Sequence, residues 1–342
     1  MKIDKRKIGT KYSPLIIPEI GINHNGSLDR AISIADSAIK SGAEIIKHQT
    51  HIYDEEMSLE AKKIIPGNSR KNIYQIIKNS QLSYEDEKKL CNYIRSKKKI
   101  FISTPFCKKA VDRLMSFNVP AFKIGSGECN NYPLVEYIAK KRKPIILSTG
   151  MNTMQSISKS VKILKKYKID FVLLHCTNLY PTPSHLVKLN AINQMKQKFK
   201  TSMIGLSDHT KDIYACLASV ALGAVIIEKH FVDSKKIKGP DVSCSMDPDD
   251  LKALIEGSKV IHNSVQGDKL PAKEEKVTMN FAFASVSTTS TIKKGDKFSE
   301  ENIFPIRPSN GSFKIKDYHK LIGKVAKRDL KKGIQLKLKD VY

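Results

Sequence analysis

The chain has 342 residues, of which 40% are hydrophobic, and this is enough apolar material to bury a full core rather than remain disordered. Lys and Arg together number 60 against 34 Asp and Glu, which gives a formal net charge of +26. The length predicts one large domain or two, and the apolar runs are far shorter than the roughly 20 residues that a membrane-spanning helix requires.

The basic charge raises the hypothesis of a nucleic acid or an anionic membrane as partner. The lysines are spread along the whole chain, however, at places typical of helix faces and turns. We therefore interpret them as solvated surface charge that also attracts an acidic small substrate. We expect no nucleic-acid partner and no membrane partner.

The start of the chain and its cysteines indicate the compartment. Residues 1–7 are charged, with no apolar signal segment behind them. The six cysteines are dispersed and form no C-x-x-C pair, so we interpret them as reduced thiols that mostly fill the core. A cytoplasmic protein is expected.

Eight short runs rich in Ile, Val, Leu and Phe recur along the first part of the chain. They comprise residues 15–21, 44–50, 100–106, 122–128, 144–150, 171–177, 203–210 and 224–231. Segments with helical spacing separate them, such as residues 27–41 and 153–167. This alternation predicts an α/β protein, a closed (β/α)8 TIM barrel. The long connection 52–99 predicts an inserted loop that contains Pro66-Gly67-Asn68.

The pattern changes after a closing helix predicted at residues 248–260. Residues 264–280 are polar and predict a linker, whereas residues 281–342 contain short alternating runs with a repeated Lys-Lys-Gly turn. Two domains are therefore expected, a barrel over residues 1–263 and a small β-rich module over residues 281–342.

Two histidines each close an apolar run, His209 in GLSDHT and His230 in VIIEKHF. Because parallel strands of a closed sheet end on one rim, these two imidazoles can share a divalent ion. An open shell with two neutral imidazoles suits Mn²⁺, Co²⁺ or Zn²⁺ better than a closed structural zinc site. The alternative is that each histidine is simply hydrogen-bonded at a strand end.

Other polar residues end the predicted strands in the same way. Two lysines and several hydroxyls at one rim are suited to a phosphate or carboxylate ligand. Glu128 lies two residues from one such hydroxyl and is a candidate general base toward water, unless it is only a solvated glutamate. The strand-end residues include Glu19, Lys47, Gln49, Thr104, Lys123, Ser126, Glu128, Ser148, Asn178, Tyr180, Ser207 and Glu228.

Several sequence blocks occur in order along nearly the entire length: residues 18–26 (PEIGINHNG), 47–52 (KHQTHI), 101–106 (FISTPF), 123–133 (KIGSGECNNYP), 175–183 (HCTNLYPTP) and 239–241 (GPD). Taken together, these blocks resemble the bacterial N-acetylneuraminate (sialic acid) synthase family. The resemblance implies an enzyme that condenses phosphoenolpyruvate with N-acetylmannosamine and water to give N-acetylneuraminate and phosphate.

The resemblance also implies residue roles. It places the metal ligands at His209 and His230, the ion being Mn²⁺ with Mg²⁺ or Co²⁺ as substitutes, and the water-activating base at Glu128. It implies phosphoenolpyruvate contacts at Lys47, Thr104, Lys123, Ser126, Ser148, Asn178 and Ser207. Gln49, Tyr180 and Asp241 match sugar-binding positions, and Glu19 matches a carboxylate near metal and sugar.

The terminal module resembles the antifreeze-like (SAF) domain. In this family that domain caps the partner subunit's barrel in a domain-swapped homodimer, which the resemblance implies here too. Arg307, in IRPSNG, matches the arginine that reaches the acetamido group. Two departures are Ser309 in place of a common glycine and Lys229 in place of arginine, and neither removes a proposed ligand.

Three alternatives stay open. Related synthases make legionaminate or pseudaminate, although residues 47–49 and 129–131 favour the neuraminate type. A Schiff-base aldolase would use Lys47 or Lys123 on a strand and need no metal. A non-enzymatic nucleic-acid binder is suggested by charge alone.

Overall fold

The computed structural model describes residues 1–67, 71–237, 239 and 241–342. Asn68 of the predicted loop motif and Pro240 of the Gly-Pro-Asp motif lie outside the described residues. The chain divides into two compact units, Met1–Gln266 and Gly267–Tyr342. Among the described residues, no helix is long and apolar enough to cross a membrane.

The first unit contains ten strands and eleven helices among its described residues. The strands are β1 (Lys2–Ile3), β2 (Arg6–Lys7), β3 (Leu15–Gly21), β4 (Ile45–Thr50), β5 (Ile100–Pro105), β6 (Phe122–Ile124), β7 (Ile145–Ser148), β8 (Phe171–Cys176), β9 (Met203–Asp208) and β10 (Ile226–His230). The helices are α1 (Leu28–Lys40), α2 (Tyr53–Glu56), α3 (Ile73–Ser80), α4 (Tyr84–Ser96), α5 (Lys108–Ser116), α6 (Tyr132–Ala139), α7 (Met154–Lys166), α8 (Ser184–Val187), α9 (Asn190–Lys198), α10 (Tyr214–Ala221) and α11 (Pro248–Ser264).

Strands β3 to β10 form a closed parallel barrel in the order β10-β3-β4-β5-β6-β7-β8-β9. The predicted (β/α)8 barrel is thereby confirmed. The fourth barrel strand is shorter than the predicted residues 122–128, because the chain turns after Ile124. Glu128 N donates to Gly125 O and Cys129 N donates to Ser126 O in that turn.

Alternation along the strands divides the barrel interior into two halves. Because successive side chains point to opposite faces, residues two apart share the interior. One half is filled by an apolar cluster, which also includes Ile3 and Ile8 at the chain start. Two residues further along each strand the interior becomes polar. The apolar set includes Ile17, Ile45, Ile102, Ala121, Ile146, Leu174 and Ile226, and the polar set includes Glu19, Lys47, Thr104, Lys123, Ser148, Cys176 and Glu228.

The outward faces of the strands pack under amphipathic helices. Helix α1 begins at an N-cap, Ser27, whose side chain accepts from Arg30 N, and α7 begins at the corresponding cap Thr153. Ile34 and Ala38 of α1 and Leu164 of α7 are fully buried in the main core cluster. The helix ends thus agree with the predicted segments 27–41 and 153–167.

The long second connection is largely helical. Residues 52–99 contain α2, α3 and α4 together with a 3-10 helix at Leu59–Lys63. Helix α2 follows β4 directly, so its side chains lie near the end of that strand. This connection therefore positions side chains close to the polar end of the barrel.

The second unit has its own small core. Strands β11 (Ser285–Thr288) and β12 (Ile303–Ile306) pair antiparallel, with two short helices, α12 (Lys276–Ala282) and α13 (Tyr318–Leu321). Val286, Phe298 and Leu336 belong to its buried cluster. Helix α12 occupies part of the predicted linker, and the predicted boundaries at 263 and 281 stay predictions.

Candidate active site

A cavity of about 190 Å³ opens among the polar strand ends of the barrel. It brings together every residue proposed for the site from the sequence except Asp241 and Arg307. Its lining is formed by Glu19, Lys47, Gln49, Thr104, Phe106, Lys123, Gly125, Ser126, Gly127, Glu128, Ser148, Cys176, Asn178, Tyr180, Ser207, His209, Glu228 and His230.

Two buried lysines and two buried carboxylates form the floor of the cavity. Lys47 Nζ contacts Glu19 directly and lies 3.8 Å from Glu228 Oε1, and Lys123 Nζ lies 3.6 Å from that same oxygen. Ser207 Oγ donates to Glu228 Oε1 at 3.3 Å. Glu228 Oε2 is buried with no hydrogen-bond partner. Glu228 is therefore shared by both ammonium groups and satisfies neither fully.

Burial governs the electrostatics of this floor. Burial lowers the pKa of Lys47 to about 7, which Glu228 opposes. The direct contact with Glu19 stabilises the ammonium form of Lys47. Burial raises the pKa of Glu228, but Lys123 and Lys47 outweigh it and keep that pKa below its usual range. Two ammonium groups and two carboxylates meet at this floor, and the long contacts of Glu228 leave hydrogen-bonding capacity on both lysines.

Neutral donors surround the lysines. Ser126 Oγ accepts from Gly150 N at 3.0 Å, and Ser148 Oγ is buried with no partner. A buried hydroxyl without a protein partner is free to bind a ligand atom in the cavity. A side chain at position 150 would collide with this part of the lining, because a Cβ on Gly150 would lie 1.8 Å from Asn178 Oδ1.

Glu128 is a half-buried residue of the cavity lining. A Cβ at Gly125 would lie 2.8 Å from Glu128 Oε2, and also near Thr104 Cγ2 and Phe106 Cε1. Burial is the main reason that the pKa of Glu128 is raised to about 7. A carboxyl group with a pKa near the working pH is suited to proton transfer.

His209 and His230 face each other across the cavity, with ring centroids 5.4 Å apart. The Tyr180 ring packs on His209 at a centroid distance of 4.2 Å. His209 Nδ1 lies 2.9 Å from Thr177 O, so a proton on Nδ1 donates there and leaves Nε2 as a ligand atom. His230 Nδ1 is buried with no hydrogen-bond partner.

The histidine pair fits one divalent ion in an open shell. Burial and the neighbouring His209 hold the pKa of His230 well below its usual value, so this ring is neutral and able to ligate. Burial also lowers the pKa of His209, but Cys176 outweighs it and raises that pKa overall. Within the described ranges, no group of three or more His, Cys, Asp or Glu side chains is arranged to hold a metal. Protein ligands beyond the two imidazoles are thus not in place, and water or substrate oxygen would complete the shell.

The two remaining predicted residues lie elsewhere. Asp241 is buried beside the cavity, with Oδ2 3.7 Å from His230 Nδ1. Burial raises its pKa to about 6. Arg307 is exposed at the end of β12, in the second unit.

Five lining residues were not among the proposed site residues, namely Phe106, Gly125, Gly127, Cys176 and Glu228. Glu228 was noted at a strand end, and its position two residues before His230 was the signal that it faces the same interior. Cys176 was interpreted with the other cysteines as core filler, and all six are buried and free. Cys176 instead lines the cavity, with Sγ 3.7 Å from His209 Nδ1. Phe106 ends the FISTPF block and carried no polar signal.

A (β/α)8 barrel with a lysine-rich anion site at the carboxyl ends of its strands defines an enzyme that acts on a small anionic substrate. Comparison with known proteins gives the family. The chain belongs to the NeuB family, whose model matches residues 34–269, and a SAF domain matches residues 283–341. It is therefore a NeuB-type nonulosonic acid synthase, a transferase that uses phosphoenolpyruvate to form a carbon–carbon bond.

Curated relatives and solved structures agree with this assignment. The pseudaminic acid synthase of Campylobacter jejuni serotype O:2 is 38% identical, over 97% of each chain. The N,N'-diacetyllegionaminic acid synthase of the same strain is 37% identical, over 93% of this chain and 97% of the relative. The crystal structure of the N-acetylneuraminic acid (sialic acid) synthetase of Leptospira borgpetersenii has a TM-score of 0.75 at 30% identity, over 82% of this chain and 94% of that one.

Proposed function

We propose that the protein condenses phosphoenolpyruvate with the open-chain form of N-acetylmannosamine and with water, giving N-acetylneuraminate and phosphate. The observation that carries this proposal is the arrangement of one cavity. An anion floor of Lys47 and Lys123, a carboxyl group with a pKa near 7 and a facing histidine pair all line it.

The floor is suited to phosphoenolpyruvate. The phosphate and carboxylate of phosphoenolpyruvate accept hydrogen bonds from Lys47, from Lys123 and from the Ser148 hydroxyl, which has no partner in the protein. Thr104, Ser126, Asn178 and Ser207 supply further directed donors from the same lining.

His209 and His230 are suited to hold the divalent ion, which we propose to be Mn²⁺, with Mg²⁺ or Co²⁺ able to substitute. When bound, the ion supplies Lewis-acid polarisation of the acceptor aldehyde. The Tyr180 ring limits the space beside the two imidazoles, and Glu19 and Gln49 line the side on which the sugar is proposed to lie.

The side chains of the cavity account for the remaining chemistry. The methylene carbon of phosphoenolpyruvate forms the new bond to the aldehyde carbon while the π pair of the aldehyde C=O moves to its oxygen, and positive charge develops at C2. That oxygen takes up one proton and becomes a hydroxyl group, which balances the proton released by the attacking water. Glu128 takes a proton from the water that adds to C2, since its raised pKa makes it an effective base near pH 7. The tetrahedral centre then loses phosphate by C–O cleavage, and Lys47 and Lys123 stabilise the departing dianion.

A second acceptor class is favoured by a specific observation. The two Campylobacter relatives at 37% and 38% identity are named for legionaminic and pseudaminic acids. The second candidate function is accordingly the same condensation on a 2,4-diacetamido sugar. The chemistry at the floor is common to both, so only the acceptor differs.

We also propose that the protein acts in the cytoplasm as a domain-swapped homodimer, in which Arg307 of one subunit contacts the acetamido group bound by its partner. The exposure of Arg307 on the second unit supports this role.

The test is a set of incubations with phosphoenolpyruvate, Mn²⁺ and either N-acetylmannosamine or a 2,4-diacetamido sugar, followed by mass analysis of the product and assay of phosphate. We expect sugar-dependent phosphate release that EDTA abolishes and Mn²⁺ restores, with N-acetylmannosamine used best. A clear preference for the 2,4-diacetamido sugars would support the second candidate. Covalent trapping by borohydride with pyruvate, without any use of phosphoenolpyruvate, would contradict both.

A further inference from the structure

Beside the cavity lies a buried pair that the proposed chemistry does not use, His51 and Glu56. His51 Nδ1 is 2.8 Å from Glu56 Oε1, and the side chains are 4% and 6% exposed. Glu56 is the last residue of α2, so this short helix delivers its carboxylate to the end of β4. The second oxygen, Glu56 Oε2, is buried with no partner.

The other ring nitrogen of His51 points at a cavity residue. His51 Nε2 lies 3.0 Å from Gln49 Oε1, and Gln49 lines the cavity. The His51 ring is also stacked on Phe106, with centroids 4.3 Å apart and planes 9° apart, so its orientation is fixed. Phe106 is itself a lining residue.

Both partners of His51 are therefore acceptors, a carboxylate oxygen and an amide oxygen. With the Gln49 amide oxygen at Nε2, that ring nitrogen is the one that donates, while Nδ1 faces the Glu56 carboxylate. If the Gln49 amide were inverted, its NH₂ group would face that N–H and the hydrogen bond would be lost.

We propose that His51 and Glu56 are positioning residues that fix the carboxamide of Gln49, and so decide which polar group the cavity offers to the acceptor sugar. His51 holds the carbonyl oxygen of Gln49. The NH₂ group has no hydrogen-bond partner among the described residues and is left to donate to an oxygen of the sugar. This inference rests on the proposed function, because it assigns a ligand group to the same cavity.

The variant Gln49→Glu tests the donor directly, because its carboxylate still accepts from His51 but offers no N–H group to the sugar. We expect the KM for the acceptor to rise about tenfold, the effect of one lost hydrogen bond. The kcat and the KM for phosphoenolpyruvate should stay within about twofold. A rise in the KM for phosphoenolpyruvate with no change for the acceptor would overturn the assignment.

Glu56→Gln replaces the carboxylate that holds His51 Nδ1 and should raise the acceptor KM about three- to tenfold, because the ring then fixes the Gln49 amide less firmly. Glu55→Gln is the matched control on the same helix, since Glu55 is exposed and pairs with Lys109 at the surface. It should leave all constants unchanged. An equal effect of the two variants would show that the charge of α2, and not the contact with His51, is responsible, and would overturn the proposal.

The proton on His51 is measured independently of turnover by long-range ¹H–¹⁵N NMR of the wild-type protein, assigned with His51→Asn. We expect Nε2 to be protonated. An unprotonated Nε2 would mean that the Gln49 amide is inverted and would overturn the proposal. This result does not depend on whether Glu56→Gln folds. If the wild-type protein used no sugar at all, the proposed function would fail, whereas this spectrum would still report the state of His51.

Discussion

The two halves of the barrel interior differ in chemistry although the same strands build both. In one half, residues such as Ile17, Ile45 and Ile146 form a dry apolar cluster. In the other, Glu19 and Lys47, each two residues further on, are buried in direct contact with each other. The first half stabilises the fold by burial of apolar surface. The second half places charges in low dielectric, where they interact strongly with a charged ligand.

This difference separates stability from activity along individual strands. Buried ion pairs contribute little net stability compared with apolar residues of similar size. Their presence at one end of the barrel is therefore explained by ligand binding rather than by folding. Substitutions in the polar half should consequently lower activity strongly, whereas substitutions in the apolar half should lower stability and leave activity nearly unchanged.

The largest expected effect on activity comes from Glu128→Gln. Removal of the proposed general base should lower kcat by about 10²- to 10⁴-fold in a phosphate-release assay. Because burial raises the pKa of Glu128 to about 7, its ionised form destabilises the folded state above the ordinary value near 4.5. The variant should thus melt at a higher temperature than wild type at pH 8, with a gain that shrinks as the pH falls toward 4.5. A variant that is both active and less stable at pH 8 would contradict this role.

Lys47→Met should lower kcat/KM for phosphoenolpyruvate by about 10²- to 10³-fold. Removal of one partner of a buried ion pair typically costs about 3–5 kcal/mol, and here it leaves Glu19 without its contact. Steady-state kinetics at varied phosphoenolpyruvate measure the effect, and denaturant unfolding measures the loss of stability. Lys97→Met, at an exposed position, is the control and should change neither quantity.

The pH dependence should give a smaller effect. Glu128 must be ionised to act as a base, so kcat/KM should rise through about pH 7 and fall about tenfold for each pH unit below it. After burial, the charge of Glu56 also contributes to the raised pKa of Glu128. Glu56→Gln should therefore shift the rise in kcat/KM to lower pH. If the rise in kcat/KM stays at the same pH in Glu128→Gln, another group is responsible for it.

The smallest effect on activity is expected from the apolar half. Ile146→Ala, two residues before Ser148, should lower the free energy of unfolding by about 2–5 kcal/mol. Its kcat/KM per folded molecule should stay within about threefold of wild type, as judged by parallel unfolding and kinetic measurements. A loss of activity comparable to that of Lys47→Met would mean that the two halves are not separable.

Much of this architecture could be predicted from the sequence, because each barrel strand is a short apolar run that ends in polar residues. Strand-end reasoning located the cavity for the same reason. Alternation decides which of the residues at a strand end face the cavity. His48 and Thr50 end the same strand as Lys47, yet they point to the other face and bind Glu87 of α4.

Other features depend on contacts between distant segments. No local pattern shows that Lys229 forms a buried pair with Asp208 on the neighbouring strand, at 2.6 Å. Nor does any local pattern show that Glu56, at the end of helix α2, contacts His51 after strand β4. The shortened strand β6 was more predictable, since Gly125 and Gly127 favour the turn that ends it. Asp241 was placed by resemblance alone, and it lies beside the cavity lining rather than in it.

The most direct test of the account is a crystal structure with phosphoenolpyruvate and Mn²⁺ bound. We predict the phosphate against Lys47 and Lys123 and an anomalous manganese peak about 2.0–2.2 Å from a nitrogen of both His209 and His230. A metal peak away from the two imidazoles, or phosphoenolpyruvate bound outside the polar half of the barrel, would contradict it.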